Sequence, residues 1–507
     1  MPTAHQTPSV GVTRRPPQEA DAELLIVPVF EDDDFGDLTW LDAAASQDVG
    51  RARERGEFKG KPFDAFVTFL GSTGRRVALI GVGRRADLTA DHLRRVATAG
   101  ALMARGRRLQ RVAVVGRSGI SVGLEVAAQA IAEGAVLANF DGGSYKTDES
   151  PRVFLESVQL CLGDEGDAVK RAVERGVILG ESSNLARELA NEPGNTLTPA
   201  AFAERATTVA TSAGVKAEVL DEKKIAALKM GMLLGVARGS QEPPRLVILR
   251  HEPANAIPGV VLGLVGKGIT FDTGGISIKP AENMDKMKDD MSGGAAVIAA
   301  MSAIARLQAP VRVIGIVPMT ENMPGGRAVK PGDILTSAEG KTVEILNTDA
   351  EGRLILGDGL WYARQLGATH LVDIATLTGA CVVALGKTTS GLFGTPDRWV
   401  EEVRKASERA GDRSWPMPVY DDYREQLRSE IADFTNTGGR AGGAITAALF
   451  LKEFTGDLPW VHIDIAGTAW AEESKPYQPK GATGVAVRTL AQLALAADSW
   501  GKLTFER

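Results

Sequence analysis

The strand-length runs of this 507-residue chain are almost wholly apolar, and that excludes most of the folds open to it. Leu246 to Leu249, Val260 to Val265, Val311 to Val317, His370 to Ile374 and Val461 to Ile465 show almost no alternation of polar and apolar positions. Such strands are buried on both faces, which is the environment of a mainly parallel sheet between layers of helix. Apolar residues at helical spacing in Ala295 to Ile304 and Ala444 to Phe454 supply those layers. The expected class is α/β.

The first third repeats the pattern on a smaller scale. Leu24 to Phe30, Val77 to Gly81 and Arg111 to Val115 read as strands, and Ala90 to Ala104 and Val122 to Asn139 as helices. This gives a smaller N-terminal α/β domain over 21–163. Residues 164–192 are polar, with Val169, Val173, Val177, Leu185 and Leu189 at helical spacing, and they end at the breaker cluster Asn191-Glu192-Pro193-Gly194-Asn195. That reads as a connecting helix, followed by a larger α/β domain over 193–507. Residues 1–20 hold Arg14, Arg15, Pro16 and Pro17 but no continuous apolar stretch, so they read as a disordered tail and not a signal peptide.

A net charge of -6 gives no electrostatic reason to expect nucleic acid or a membrane surface as partner. No apolar run is long enough to span a bilayer. The two cysteines, Cys161 and Cys381, lack the spacing of a disulfide framework or a thiolate zinc site. The five histidines occur singly; His462, between apolar neighbours, reads as strand packing. A soluble cytoplasmic protein is expected.

Polar residues at the ends of apolar strands carry the chemistry, because in open α/β sheets the ligand crevice lies outside the carboxyl ends of the strands. Gly263 to Gly275 leaves a strand into a glycine-dense turn holding Lys267 and Asp272. Neither phosphate-cradling motif fits: a Walker A loop needs Gly in place of Val261 and Ser or Thr in place of Gly268, and the dinucleotide fingerprint needs Gly in place of Phe271. Lys279 follows in Ser277-Ile278-Lys279-Pro280, then Asp289 and Asp290 at an apparent helix start, where an aspartate can simply be a cap. A third segment, Glu344 to Leu354, packs Asp349, Glu351 and Arg353 into five positions, which alone could be a capping turn with a surface ion pair. Together Asp272, Asp290, Asp349 and Glu351 are four carboxylates among glycine and small apolar residues, and buried anions cannot coexist uncompensated. Lys267, Lys279 and Arg353 could neutralise them as an ion-pair network. Divalent cations do so more completely, and carboxylates bridging two ions are the usual construction of a dinuclear hydrolytic site.

Asn347-Thr348-Asp349-Ala350-Glu351-Gly352-Arg353-Leu354 resembles the signature of the leucyl (cytosol) aminopeptidase family, the M17 metallopeptidases. Val265 to Pro280, Met287 to Gly294 and Ala375 to Ala380 resemble further family blocks in order and spacing, and Asn191 to Pro199 resembles the block that opens the catalytic domain. The resemblance runs from Asn191 to about Trp470.

It implies an aminopeptidase in which Asp272 and Glu351 bridge two divalent ions, Mn or Zn, Lys267 and Asp290 complete one ion, and Asp349 the other. An adjacent dication would depress the lysine pKa enough for neutral Lys267 to ligate. Lys279 would stabilise the oxyanion as a metal-bound water attacks the scissile carbonyl, and Arg353 would hold bicarbonate as a proton shuttle. One ion would bind the free α-amine, confining cleavage to N-termini. Met287, Thr376, Leu377 and Gly379 would line a pocket for Leu-like side chains, with broad acceptance. The resemblance also implies peptide substrates, peptide turnover inside the cell and a homohexamer. Two rivals stand beside it: a scaffold holding no metal, and a dinuclear phosphatase that would cleave phosphate esters but not amino-acid amides.

Overall fold

The computed structural model describes residues 4–71, 74–147 and 152–501 and falls into two compact units. Unit 1 is Met1–Asn184 together with Glu472–Lys480; unit 2 is Leu185–Ala471 together with Gly481–Arg507.

Unit 1 is built on six strands: β1 (Ser9–Thr13), β2 (Leu24–Phe30), β3 (Ala65–Phe69), β4 (Arg76–Gly83), β5 (Arg111–Val115) and β6 (Ser157–Cys161), in the order β1-β6-β5-β2-β4-β3. All neighbours are parallel except β3 and β4. Every residue of β2 is buried, and the helices Ala90–Gly106 and Leu124–Leu137 pack with it into one core. The expectation of a disordered tail over 1–20 is corrected by β1, which runs parallel to β6 from Ser9↔Ser157 to Thr13↔Cys161. Its residues are half exposed, so no apolar run announces it; main-chain pairing along a sheet edge holds it. Residues 1–3 of that expected tail lie outside the described residues.

The helix Asp167–Asn191 spans the boundary between units, which falls within it at Asn184/Leu185. The larger unit is also interrupted late: the chain leaves it for unit 1 over Glu472–Lys480.

Unit 2 holds a nine-stranded sheet of β7 (Lys216–Leu220), β8 (Arg245–His251), β9 (Val261–Gly266), β10 (Gly268–Asp272), β11 (Arg312–Asn322), β14 (His370–Ala375), β15 (Ser390–Thr395), β16 (Ser414–Pro416) and β18 (Trp460–Asp464). A small three-stranded sheet takes β12 (Ile334–Thr336), β13 (Thr342–Glu344) and β17 (Phe434–Thr435). The large sheet runs β16-β15-β18-β14-β9-β11-β8-β7, with β10 on β11. Its centre is parallel: β18 with β14, β14 with β9, β9 with β11, and β11 with β10. The antiparallel pairs β15/β18, β11/β8 and β8/β7 flank that centre. Strands β9, β14 and β18 are buried throughout, as their sequences demand. The helices Ser292–Arg306, Gly352–Gln365 and Gly443–Lys452 bury most of their residues.

The glycine-dense turn read after Gly266 is in fact β10, because a backbone without side chains at Gly266 and Gly268 lets the chain re-enter the sheet beside β11. No helix among the described residues is long and apolar enough to cross a membrane.

Candidate metal centre

Five polar residues occupy the carboxyl ends of the five parallel central strands of unit 2. Lys267 follows β9, Asp272 ends β10, Asn322 ends β11, Thr376 follows β14 and Asp464 ends β18. Ligands bind outside such strand ends. Two further segments are brought to the same edge: the short 3-10 helix Met284–Asp289 delivers Asp290, and the turn before the helix Gly352–Gln365 delivers Asp349 and Glu351.

Lys267, 3% exposed, lies at the middle. Its Nζ is 2.7 Å from Asp290 Oδ2 and 2.8 Å from Glu351 Oε1, and it donates to the Thr376 carbonyl at 3.1 Å. Gly352 makes room for it, since a Cβ there would sit 2.7 Å from Lys267 Cε. Lys279 Nζ lies between Asp272 Oδ2 at 2.7 Å and Asp349 Oδ1 at 2.5 Å. The loop that aims it turns at Gly274 and Gly275, with φ of +87° and +65°; a Cβ on Gly274 would also meet the Ser277 carbonyl at 2.5 Å.

Asp290 caps no helix: the helix Ser292–Arg306 begins with no side-chain cap, and Asp290 Oδ1 instead accepts from Thr376 Oγ1 at 2.7 Å. Arg353 is no surface partner of Asp349. It is 6% exposed, its Nη1 donates to the Asn436 carbonyl at 2.8 Å, and its Nε is buried without a hydrogen-bond partner.

Four carboxylates thus face two ammonium groups, leaving two negative charges uncompensated. The consequence is visible in the acids. Burial pushes the Asp290 and Glu351 carboxyls above the usual carboxylate range, and the Asp272 charge adds to both, against the pull of Lys267 and Lys279. Burial raises Asp349 as well, with Lys279 opposing. Burial works against charge on Lys267 and Lys279 too, but the surrounding carboxylates outweigh it and hold both above the ordinary lysine range. Burial brings the Arg353 guanidinium down to about 10, opposed by Glu351 and Asp464.

Asp272, Asp290 and Glu351 each present a ligand atom, and these lie within 4.8 Å of one another. A buried, all-oxygen, net-anionic donor set of this spacing fits hard or borderline divalent cations. Asp349 joins the group through Lys279.

Of the residues expected to line a substrate pocket, Thr376 and Leu377 are half-buried beside the cluster, and Gly379, exposed, starts the helix Gly379–Leu385. Met287 is half-buried on the 3-10 helix, where its carbonyl accepts from the Asp290 amide at 3.4 Å.

Sequence reasoning missed two residues. The Asn322 amide donates to Asp272 Oδ1 at 2.8 Å. Asp464 accepts from the Leu377 amide at 3.3 Å, the Ala466 amide at 3.1 Å and Thr378 Oγ1 at 2.6 Å. Asp464 was detectable as the one acid inside the apolar run Val461 to Ile465, whereas Asn322 lies five residues past the run Val311 to Val317 and left no such signal.

Known proteins carry the same architecture. The catalytic-domain model of the cytosol aminopeptidase family matches residues 184–491, and its N-terminal domain model matches 26–149. A "Probable cytosol aminopeptidase" of Solibacter usitatus is 48% identical over 487 residues, covering 96% of this chain and 99% of the relative. Among solved structures, a tomato leucine aminopeptidase mutant is 34% identical with a TM-score of 0.89, covering 97% of this chain and 98% of that one. The bottromycin maturation enzyme BotP in complex with Mn is 38% identical with a TM-score of 0.82, covering 94% and 99%. The chain belongs to the cytosol (leucyl) aminopeptidase family, and it is a hydrolase that acts as an aminopeptidase on peptide substrates.

Proposed function

We propose that this chain is a dinuclear-metal aminopeptidase that releases N-terminal amino acids, Leu-like ones preferred within a broad range. The observation that carries the reading is the convergence of Asp272, Asp290, Asp349 and Glu351 on two lysines, with negative charge left over in a buried site. Lys267, Asp272, Asp290, Asp349 and Glu351 would hold two divalent cations, Mn or Zn. The Mn complex of BotP supports a divalent ion in this family. When bound, such ions supply Lewis-acid polarisation of the scissile carbonyl and activation of the attacking water.

The chain's own groups do the rest. Lys279, partly exposed and held at the cluster edge by Asp272 and Asp349, is placed to offer its ammonium to the developing oxyanion. Arg353, with a buried Nε lacking a partner, suits a small planar anion such as bicarbonate that relays a proton. Met287, Thr376, Leu377 and Gly379 would receive the N-terminal side chain. We assign peptide turnover in the cytoplasm and a homohexameric assembly to the same reading.

Hydrolysis of leucine p-nitroanilide by metal-stripped protein, with Mn or Zn returned, tests the proposal beside Glu351→Gln. Activity restored by metal, and lower by at least about a hundredfold in Glu351→Gln, is the expected result. A folded wild-type protein inactive with every divalent ion sinks it.

A further inference from the structure

Asn322 is 4% exposed at the last position of β11, in register with Asp272 at the end of β10. Its main chain is already held: the Thr273 amide and Oγ1 donate to the Asn322 carbonyl at 2.9 and 2.8 Å. The side chain is therefore free for another task. Its NH2 donates to Asp272 Oδ1 at 2.8 Å and to the Thr348 carbonyl at 3.1 Å, and reaches Glu351 Oε2 at 3.4 Å. One amide thus touches both carboxylates assigned above to bridge two ions, together with the backbone of the turn that carries Glu351.

The oxygens it leaves alone are informative. Asp272 Oδ2 faces Lys279, and Glu351 Oε1 faces Lys267. Each carboxylate gives one oxygen to the amide and keeps the other for a cation. We propose that Asn322 is a positioning residue that fixes the spacing and rotation of Asp272 and Glu351, so that their cation-facing oxygens point into the same centre. This rests on the dinuclear reading.

The residue type follows from electrostatics. A lysine or arginine at this point would form equally good hydrogen bonds but repel bound cations, and an aspartate would add a fifth anion against two others. A neutral amide donates without changing the charge. Hydrogen bonds to buried carboxylates are worth about tenfold or more in an equilibrium constant.

Calorimetric titration of the metal-stripped full-length protein with Mn tests this, in the wild type, Asn322→Ala and Asn322→Leu. The leucine variant keeps the volume without the donors, so a folding failure of one leaves the other to decide. Two Mn per chain in the wild type, affinity weakened about tenfold or more in the variants, and kcat lost at limiting Mn but regained at saturating Mn with KM within about threefold, is the expected result. A folded variant with unchanged Mn affinity, or one whose KM collapses along with the affinity, overturns the role of Asn322 and leaves the dinuclear reading standing. A wild type that takes up no Mn overturns both.

Discussion

Thr376 Oγ1 donates to Asp290 Oδ1 at 2.7 Å, and the Thr376 carbonyl accepts from Lys267 Nζ, so the strand end at the proposed side-chain pocket is bonded to two groups of the carboxylate cluster. Replacing the hydroxyl by a methyl in Thr376→Val keeps the shape and removes one donor from a carboxylate in a buried site. We expect kcat/KM for leucine p-nitroanilide to fall about tenfold, with stability lowered by about 1 kcal/mol in urea unfolding. Unchanged kcat/KM would show that the hydroxyl does not orient Asp290.

Gly352 begins the helix Gly352–Gln365, where alanine is the better helix former by about 0.5 to 1 kcal/mol. Its Cβ would nevertheless lie 2.7 to 2.9 Å from three side-chain atoms of Lys267. Gly352→Ala should therefore displace Lys267 while costing the fold little: activity falls at least about tenfold, and the melting temperature of metal-free protein shifts by no more than about 2 °C. A large drop in melting temperature would mean that the loss reflects strain in the helix and not the displaced lysine.

Asp464 holds three donors of the loop that follows β14 and of its own turn, and it is 1% exposed. Asp464→Ala leaves those donors unpaired beside the proposed pocket. Folding stability should drop by about 2 to 4 kcal/mol, and KM should rise more than kcat falls. Steady-state kinetics at a temperature where the variant remains folded separates the two effects.

Burial lowers the His370 imidazole to about 4, in a niche where the ring packs against Trp399 and Trp500. Its folded pKa lies below its unfolded value near 6.5, so the unfolded chain binds the extra proton first as pH falls. Stability contributed by the neutral ring is complete above about pH 6.5 and is lost through the window down to about 4, on the order of 3 kcal/mol in all. His370→Phe should flatten that part of the stability–pH curve in denaturant titrations; an equally steep acid limb would place the sensitivity elsewhere.

The parallel core was legible because strands buried on both faces must be apolar throughout, and β9, β14 and β18 are. Lys267, Asp272 and Glu351 were legible for the complementary reason that a charge amid glycine and apolar residues needs a partner. Other features left weaker traces. β1 is held by edge pairing of half-exposed residues, which no pattern of hydrophobicity reports. β11 runs to Asn322, five residues beyond the apolar run, because its last residues pair with β10 and the Asn322 amide finds Asp272, a partner that only the folded chain supplies. The docking of Glu472–Lys480 onto unit 1 follows from no local signal at all.

Because Lys267, Asp272, Asn322, Thr376 and Asp464 each end or directly follow a different strand, the centre has no smaller version of itself. A chain cut anywhere between β9 and β18 lacks at least one strand end, and with it either a charged member of the cluster or the residue that orients one. A polypeptide still emerging during synthesis is in the same position: until β18 has paired with β14, the Leu377 amide and the Thr378 hydroxyl lack the Asp464 carboxylate that holds them. On the proposed reading, the site is complete only when the sheet is complete.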